Sequence, residues 1–170
     1  MAARRVGDPL APETQVGAIV SEEELANLLA QIADAVGQGA RLVCGGRRLD
    51  RPGTFLPPTV LAEVTPQMRV WREEVFGPVA PVMAVSDAEE AVRLANQSDY
   101  GLGGSVWTSD PERGEALARR LECGAAFVNS IVKSDPRMPF GGIKQSGLGR
   151  ELSWFGLHAF TNVKGLNLYD

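Results

Sequence analysis

The sequence predicts an α/β fold, with a mainly parallel sheet and flanking helices. Short apolar runs alternate along the chain with segments of helical periodicity, an order that places parallel strands between helices. Hydrophobic residues make up 44% of the chain and charged residues 22%, which is ordinary globular composition. A chain of 170 residues is long enough to bury a core of its own, so we expect a single domain.

The first helix and the first two strands are placed by their end signals. Ser21 and Glu24 form a capping box, and Gly37 is a suitable stop, so a helix is predicted between these ends. Short apolar runs at residues 41–44 and 59–61 predict two strands. The inner face of the helix is expected to carry Leu25, Leu28, Leu29, Ile32 and Val36.

The next segment is a strand followed by a helix. The apolar run at residues 79–85 predicts a strand that is buried on both faces. Ser86 and Glu89 form a second capping box at the start of the helix behind it. The apolar residues lining this helix are Ala88, Ala91, Val92 and Ala95.

A second strand–helix–strand unit comes next. Residues 104–108 read as a strand, and Pro111 is tolerated in the first turn of the helix that follows. We expect this helix to end at Gly124, directly before a strand at 125–128. Because strands and helices alternate through both units, the strands are predicted to run mainly parallel.

The part of the chain after Asn129 is where we expect a functional site. Residues 1–20 form an irregular lead-in and residues 21–129 hold the α/β units, but residues 130–149 contain prolines and glycines without periodicity. So long a loop is more often functional than not, and open α/β sheets bind ligands beyond the carboxyl ends of their strands. Residues 130–149 are therefore the candidate active-site loop.

The last segment, residues 150–170, is predicted as a short helix followed by a strand. The helix is expected at 151–158, and Val163, followed by Leu166 and Leu168 in alternation, favours a strand. No later segment remains to pair with it, so it must join an edge of its own sheet or of another subunit. We therefore expect a homo-oligomer formed through this terminal strand.

The composition excludes several classes of function. The formal net charge of −4 argues against nucleic-acid binding, and no apolar run approaches the roughly 18 residues of a membrane helix. With 2 cysteines and 1 histidine, a disulfide scaffold and a His-rich metal centre are excluded, and no metal site is expected. Few cysteines and no secretory signal favour the cytoplasm. Cys44 is expected to be buried, and Cys123 is expected to be structural at a helix C-terminus.

Two short motifs leave a structural and a functional interpretation open. Glu73 to Pro78 combines two carboxylates, an aromatic ring and a Gly-Pro turn, and it is either a solvated turn or a binding element. Pro139 to Gly142 is either a rigid turn with a packed ring or part of a site. The glycine-rich run that follows is not a P-loop, because Leu148 stands where that motif requires lysine.

The chain resembles the C-terminal part of the NAD(P)-dependent aldehyde dehydrogenase superfamily. The motifs that carry the resemblance, in matching order, are VGDPLAPETQVGAIVSEEE, REEVFGPVAPV, ANQSDYGLGGSVWT, FVNS and MPFGGIKQSGLGRELSWFGLHAFTNVK. Within the superfamily the chain is most similar to bacterial succinate-semialdehyde dehydrogenases, which carry a serine five residues after the VN asparagine. Ser134 stands at that spacing from Asn129.

The resemblance implies a nicotinamide cofactor, NAD or NADP, and roles for four residues. Glu74 matches the glutamate that accepts hydrogen bonds from the hydroxyls of the nicotinamide ribose, and Phe76 matches the ring that packs against the nicotinamide end. Ser134 matches the serine that binds the distal carboxylate of the aldehyde substrate, and Phe140 matches a ring of the aldehyde tunnel. Lys133 and Arg137 are the nearest candidate cations for the same carboxylate.

The chain also departs from the family pattern. The family's catalytic cysteine, its base glutamate and its cofactor fold precede the region matched here, and neither Cys44 nor Cys123 has the sequence context of the nucleophile. An engineered truncation, a split gene and a natural short form are the open explanations. Two hypotheses follow: the chain is part of an enzyme that oxidises a short semialdehyde, or it is a non-catalytic oligomerisation module. In either case we expect the isolated chain to be inactive.

Overall fold

The computed structural model describes residues 1–169 and divides into two compact units, Met1–Val85 and Ser86–Asp170. The prediction of a single domain stays a prediction, because two compact units can belong to one domain or to two. In the described residues 1–169, no helix is both long enough and apolar enough to cross a membrane.

The first unit is a small three-stranded sheet packed on a long helix. Its strand order is β1-β2-β3, with β1 antiparallel to β2 and β2 parallel to β3. The elements in chain order are α1 (Glu22–Gly37), β1 (Arg41–Cys44), β2 (Thr59–Ala62), α2 (Arg69–Arg72) and β3 (Val79–Pro81).

The first helix confirms the prediction made from its capping residues. The Ser21 hydroxyl accepts a hydrogen bond from the Glu24 amide at 3.1 Å, which caps α1 as expected. Val36 is 43% exposed, so its predicted place on the inner face is wrong, and Ala35 is buried instead. The core contains Leu25, Leu28, Ile32, Ala35, Ala40, Leu56, Leu61, Val64, Met68 and Val70.

The strands of this unit are less buried than the sequence predicts. The side chains of Leu42 and Val43 in the edge strand β1 are exposed, and Cys44 is only half-buried. The strand predicted at 79–85 ends at Pro81. Its partner β2 stops at Ala62, because the next residue turns the chain with a φ of 62°, so the regular pairing ends there.

The second unit contains two separate pairs of strands and three helices. β5 and β6 are parallel, and α4 connects them, so this predicted strand–helix–strand unit is confirmed. β4 and β7 are antiparallel. The elements are α3 (Ala88–Ala95), β4 (Tyr100–Gly101), β5 (Gly103–Val106), α4 (Pro111–Ala118), β6 (Ala125–Val128), β7 (Ile143–Lys144) and α5 (Ser153–Ala159).

The second capping box is one residue later than predicted. The Asp87 carboxylate, not the Ser86 hydroxyl, accepts the hydrogen bond that caps α3, from the Glu90 amide at 2.8 Å. The Glu90 carboxylate in turn accepts from the amide and the hydroxyl of Ser86, at 2.7 and 2.8 Å. Both Asp and Ser are good caps, so the composition of the segment did not distinguish them.

The helix α4 begins as predicted and ends early. The Asp110 carboxylate accepts from the Arg113 amide at 3.0 Å, and Pro111 is in the first turn. The helix ends at Ala118 rather than Gly124, so Cys123 lies in a turn and not at a helix C-terminus. Its thiol donates to the carbonyl of Ala125 at 3.3 Å.

The α/β class is therefore confirmed, but the arrangement of the strands differs from the expected single sheet. Over residues 1–169 the strands form one sheet of three strands and two sheets of two, with two parallel and two antiparallel pairings. The short C-terminal helix is found close to its predicted position. Residues 161–169 are exposed and belong to no strand in the part of the chain that the structure describes.

Candidate functional site

The Glu-Glu-Val-Phe-Gly-Pro motif forms a compact turn in the first unit, which we call the 73–78 turn. It begins where α2 ends, with the Glu73 amide donating to the Arg69 carbonyl at 2.8 Å. The Gly77 amide donates to the Val75 carbonyl at 3.0 Å, and the Pro78 carbonyl accepts from the amide of Thr59 in β2 at 2.8 Å. The turn is thus tied to the sheet at its C-terminal end.

The two residues of this turn expected to bind the cofactor are both exposed. Glu74 is exposed, and among residues 1–169 no donor bonds to its carboxylate. The Phe76 ring is 67% exposed. It borders an open hollow of about 550 Å³ lined also by Ala18, Ile19, Val20 and Gly77.

The neighbouring glutamate has a different role. The Arg69 guanidinium donates to both Glu73 carboxylate oxygens at 2.8 Å, and the Gln31 amide donates to one of them at 3.1 Å. The hydrogen bonds from Arg69, and after them the bond from Gln31, lower the pKa of Glu73 to about 2. Glu73 is therefore an anchoring carboxylate, and Glu74 is the carboxylate that remains free to accept new hydrogen bonds.

Sequence reasoning missed Gln31, which contacts the turn from α1. Its side chain is 1% exposed, and its amide nitrogen donates to the Glu73 carboxylate and to the Glu74 carbonyl, the latter at 3.2 Å. The available signal was a polar residue three positions after Leu28, on the otherwise apolar face of the helix.

In the second unit, an asparagine fixes the start of the candidate active-site loop. The Asn129 side chain accepts from the Thr108 amide and donates to the Thr108 carbonyl, both at 2.8 Å. Its backbone has a φ of 52°, a left-handed conformation that asparagine tolerates. The chain after β6 therefore leaves the strand in a fixed direction beside the end of β5.

Arg137, which was considered as a cation that would act beside Ser134, forms an ion pair within the loop. The Arg137 guanidinium donates to both oxygens of Asp135, at 3.0 and 2.7 Å, and holds the pKa of that carboxyl well below its usual range. Arg137 is therefore paired with Asp135 in this structure, and its role as a cation for the substrate stays a prediction. Ser134 is exposed, and Lys133 lies beside it in the chain.

A cavity of about 300 Å³ lies between β6 and the loop of the second unit. The half-buried Phe140 lines it, together with Lys133 and Asp135, whereas Ser134 is not among the lining residues. The complete lining is Gly124, Ala125, Ala126, Phe127, Lys133, Asp135, Met138, Pro139 and Phe140. The second unit thus contains both residues expected to bind the aldehyde, but it does not place them at one cavity.

Close backbone contacts at glycines shape the loop. A Cβ on Gly124 would overlap the carbonyl of Gly141, so the end of the α4–β6 connection and the loop approach each other closely. The Arg150 guanidinium donates to the carbonyls of Gly142 and Gly149, both at 2.8 Å. Phe140 and Glu151 exchange backbone hydrogen bonds at 2.9 and 2.7 Å, which close the loop.

The residues of the first unit fit a nicotinamide ribonucleoside. A carboxylate is acceptor-only and can bond two vicinal hydroxyls, and Glu74 has both oxygens available. The flat, exposed ring of Phe76 provides an apolar surface for a heterocycle two residues away. Glu74 and Phe76 thus occur together in the first unit, while Ser134 and Phe140 occur in the second.

Comparison with known proteins identifies the family. A model of the aldehyde dehydrogenase family matches residues 1–166. The chain is 51% identical over 158 residues to a succinate-semialdehyde dehydrogenase [NADP(+)] of Deinococcus radiodurans, with 93% of this chain and 33% of that protein covered. It is 46% identical over 163 residues to the succinate semialdehyde dehydrogenase [NAD(P)+] Sad of Escherichia coli, with 96% and 35% covered.

A solved structure supports the same relationship. The succinic semialdehyde dehydrogenase of Streptococcus pyogenes in complex with NADP+ superposes with a TM-score of 0.88 at 45% identity, over 94% of this chain and 35% of that one. The chain belongs to the aldehyde dehydrogenase family. It spans about a third of the length of the curated relatives it matches.

Proposed function

We propose that this chain forms the C-terminal part of an NAD(P)-dependent aldehyde dehydrogenase that oxidises succinate semialdehyde to the carboxylate. The observation that carries the proposal is identity of 46–51%, over nearly the whole chain, to relatives named as succinate-semialdehyde dehydrogenases. Their names include NADP+ or both cofactors, so both NAD+ and NADP+ are kept as cofactors here. A cytoplasmic location remains the expectation for the protein.

The first unit contributes the binding of the nicotinamide end of the cofactor. The Glu74 carboxylate accepts hydrogen bonds from the ribose hydroxyls, and the Phe76 ring packs beside the nicotinamide and limits its positions. When bound, the cofactor accepts the hydride from the substrate. The free carboxylate and the exposed ring, both held on the 73–78 turn, support this assignment.

The second unit contributes to binding of the aldehyde. The Phe140 ring forms part of an apolar wall that keeps water from the substrate chain. The Ser134 hydroxyl donates to the distal carboxylate of the substrate. The ammonium of the neighbouring Lys133 supplies positive charge for the same carboxylate, because Arg137 is paired with Asp135. In a protein of the relatives' full length, we expect the parallel strands of the second unit to belong to a larger, mainly parallel sheet.

Activity of a protein of the relatives' full length that carries this sequence tests the proposal. With succinate semialdehyde and NAD+ or NADP+, formation of reduced nicotinamide and an equal amount of succinate are expected. The kcat/KM for succinate semialdehyde should exceed that for butanal, which has the same carbon number and no carboxylate. Equal values would contradict the substrate assignment, and no succinate would contradict the reaction.

The second candidate function is that of a non-catalytic oligomerisation module, and the exposed tail favours it. The tail carries large apolar side chains that are almost fully exposed: Phe160, Val163, Leu166, Leu168 and Tyr169. An exposed apolar tail, in which Leu166 and Leu168 are two positions apart, is suited to pairing with a strand of a second copy. Sedimentation of the 170-residue chain should then show an oligomer that deletion of residues 161–170 converts to a monomer. A monomer in both cases would contradict this role.

A further inference from the structure

We propose that Gln31 is a positioning residue that holds the 73–78 turn so that Glu74 can face the nicotinamide cofactor. The proposal rests on the cofactor-binding role given to that turn under the proposed function. Gln31 itself is buried at 1% exposure and does not reach the exposed face of the turn, so it acts through the backbone and through Glu73.

The contacts of Gln31 are unusual for a residue of a helix core. Its neighbours along the buried face of α1 are Leu28, Ile32 and Ala35, all buried and apolar. Its amide nitrogen has two N–H donors, and the two acceptors within reach belong to consecutive residues of the turn, the Glu73 carboxylate at 3.1 Å and the Glu74 carbonyl at 3.2 Å. One side chain therefore holds two consecutive residues, Glu73 by its carboxylate and Glu74 by its backbone carbonyl.

Stability alone does not explain a glutamine at this position. Its side-chain oxygen is buried without a hydrogen-bond partner among residues 1–169, which is an energetic cost. Both acceptors belong to exposed residues, so water could satisfy them if Gln31 were apolar. An apolar side chain of equal length would fill the core without a buried oxygen that lacks a partner. The amide of Gln31 therefore serves to orient the 73–78 turn.

The rest of the turn depends on this anchor. The Glu74 carboxylate makes no hydrogen bond of its own within the described chain, so the position of its backbone sets the region that the side chain can reach. On the far side, a Cβ on Gly77 would come within 2.5 Å of the fully buried Leu28 side chain, so the turn lies directly on α1. Gln31 and Leu28 are neighbours on the same face of α1. Gln31 bonds to residues 73 and 74 and Leu28 lies against Gly77, so α1 contacts both halves of the 73–78 turn.

The first test measures the turn without any cofactor. Gln31→Met keeps the length of the side chain and removes its polar atoms, and Gln31→Leu is a second variant of the same kind. Hydrogen–deuterium exchange of the 170-residue chain should be about tenfold faster in either variant for the amides of Glu73 and Gly77, the two in this segment that donate hydrogen bonds, with β2 unchanged. Ile32→Val, a change at the next residue of the same buried helix face, is the matched control and should leave the turn unchanged.

The second test measures catalysis in a protein of the relatives' full length. Gln31→Met should reduce kcat/KM for the cofactor about tenfold, because a displaced Glu74 binds the ribose less well. In a Glu74→Gln background the same change should cost less than about twofold, because the group it positions is already altered. If Gln31 only stabilised the fold, Gln31→Met would lower stability and kcat/KM by the same factor with and without Glu74→Gln.

The outcomes separate this inference from the proposed function. If Glu74→Gln impairs catalysis and Gln31→Met does not, or impairs it equally in both backgrounds, Gln31 has no positioning role and the cofactor assignment stands. Unchanged exchange of the Glu73 and Gly77 amides in both Gln31 variants also overturns the inference. If Glu74→Gln leaves catalysis unchanged, the cofactor role of the turn fails first, and the role of Gln31 fails with it.

Discussion

Adjacent glutamates in one turn have opposite relations to their surroundings. Glu73 receives hydrogen bonds from Arg69 and Gln31, whereas Glu74 remains exposed with a free carboxylate. The sequence presents them as an equivalent pair, and only the resemblance to the family distinguished the second. The structure adds a physical reason for that choice, because a carboxylate already bound to a guanidinium is a poor acceptor for a ligand's hydroxyls.

The first prediction concerns Glu74. Glu74→Gln replaces one acceptor oxygen by a donor, so the side chain can no longer accept from both ribose hydroxyls. Losing a hydrogen bond to a charged group costs about 1.5–3 kcal/mol. We therefore expect kcat/KM for the cofactor to fall roughly ten- to a hundredfold in a protein of full family length. Stopped-flow measurement of nicotinamide reduction checks this, and unchanged kinetics and affinity would remove Glu74 from the site.

The second prediction concerns Ser134. Ser134→Ala should reduce kcat/KM for succinate semialdehyde by about tenfold more than for butanal, through loss of one charge-assisted hydrogen bond. Ser130→Ala, in the same loop, is the matched control and should leave the ratio of the two substrates unchanged. Ser134 does not line the cavity that contains Phe140, so the kinetic comparison has to decide whether both residues bind the same aldehyde. Equal losses on both aldehydes would rule out the carboxylate role.

Residues within family motifs could be selected from the sequence, and a residue with distant partners could not. Glu74, Phe76, Ser134 and Phe140 were selected because their short motifs resemble those of the family, and their roles stay predictions. Gln31 was missed because its partners lie 42 and 43 residues further along the chain. No periodicity or spacing rule connects positions so far apart. The only local signal of the contact was a polar residue on an otherwise apolar helix face.

At the level of elements, the starts of α1, α3 and α4 were predicted to within a residue, whereas α5 begins two residues later than predicted, the short α2 was not predicted, and several strand ends were misplaced. Ser21 caps α1 as expected, and at α3 the cap moved from Ser86 to Asp87 because both residues can accept the bond. Strand length depends on the partner, and β3 ends at Pro81 where β2 turns away. Apolar composition predicted the run from 79 to 85 but contained no information about that partner.

The third prediction concerns the contact that joins α1, α2 and the 73–78 turn. Folding lowers the pKa of Glu73 from 4.5 to about 2, so its ionised form contributes stability above pH 4.5 that is lost as the pH falls towards 2. The side chain is 43% exposed, so we expect a contribution of about 1 kcal/mol or less. Glu73→Gln should lower the free energy of unfolding in urea most near pH 6 and by clearly less near about pH 3, which lies inside the window where the contribution is being lost. An equal difference at both pH values would contradict this account.

At the scale of the whole molecule, the α/β class followed from the alternation of elements, but the assembly of the sheets did not. Local periodicity places strands and helices, whereas pairing depends on contacts between distant segments. The pairing of β4 with β7 joins residues 100–101 to 143–144, across an intervening helix and two strands. The glycines that permit this approach, Gly101 and Gly124 among them, are visible in the sequence only as turn residues.

The last prediction is that the isolated 170-residue chain has no aldehyde dehydrogenase turnover. The side chains of both cysteines donate hydrogen bonds to nearby backbone carbonyls, Cys44 to Pro58 at 3.5 Å and Cys123 to Ala125 at 3.3 Å. Both are also outside the sequence context that the family uses for its catalytic cysteine. Purified chain mixed with NAD+ or NADP+ and succinate semialdehyde should form no reduced nicotinamide above a buffer control. A protein of full family length carrying the same sequence is the positive control. Steady turnover of the isolated chain that Cys123→Ala abolishes would show that this thiol is catalytic.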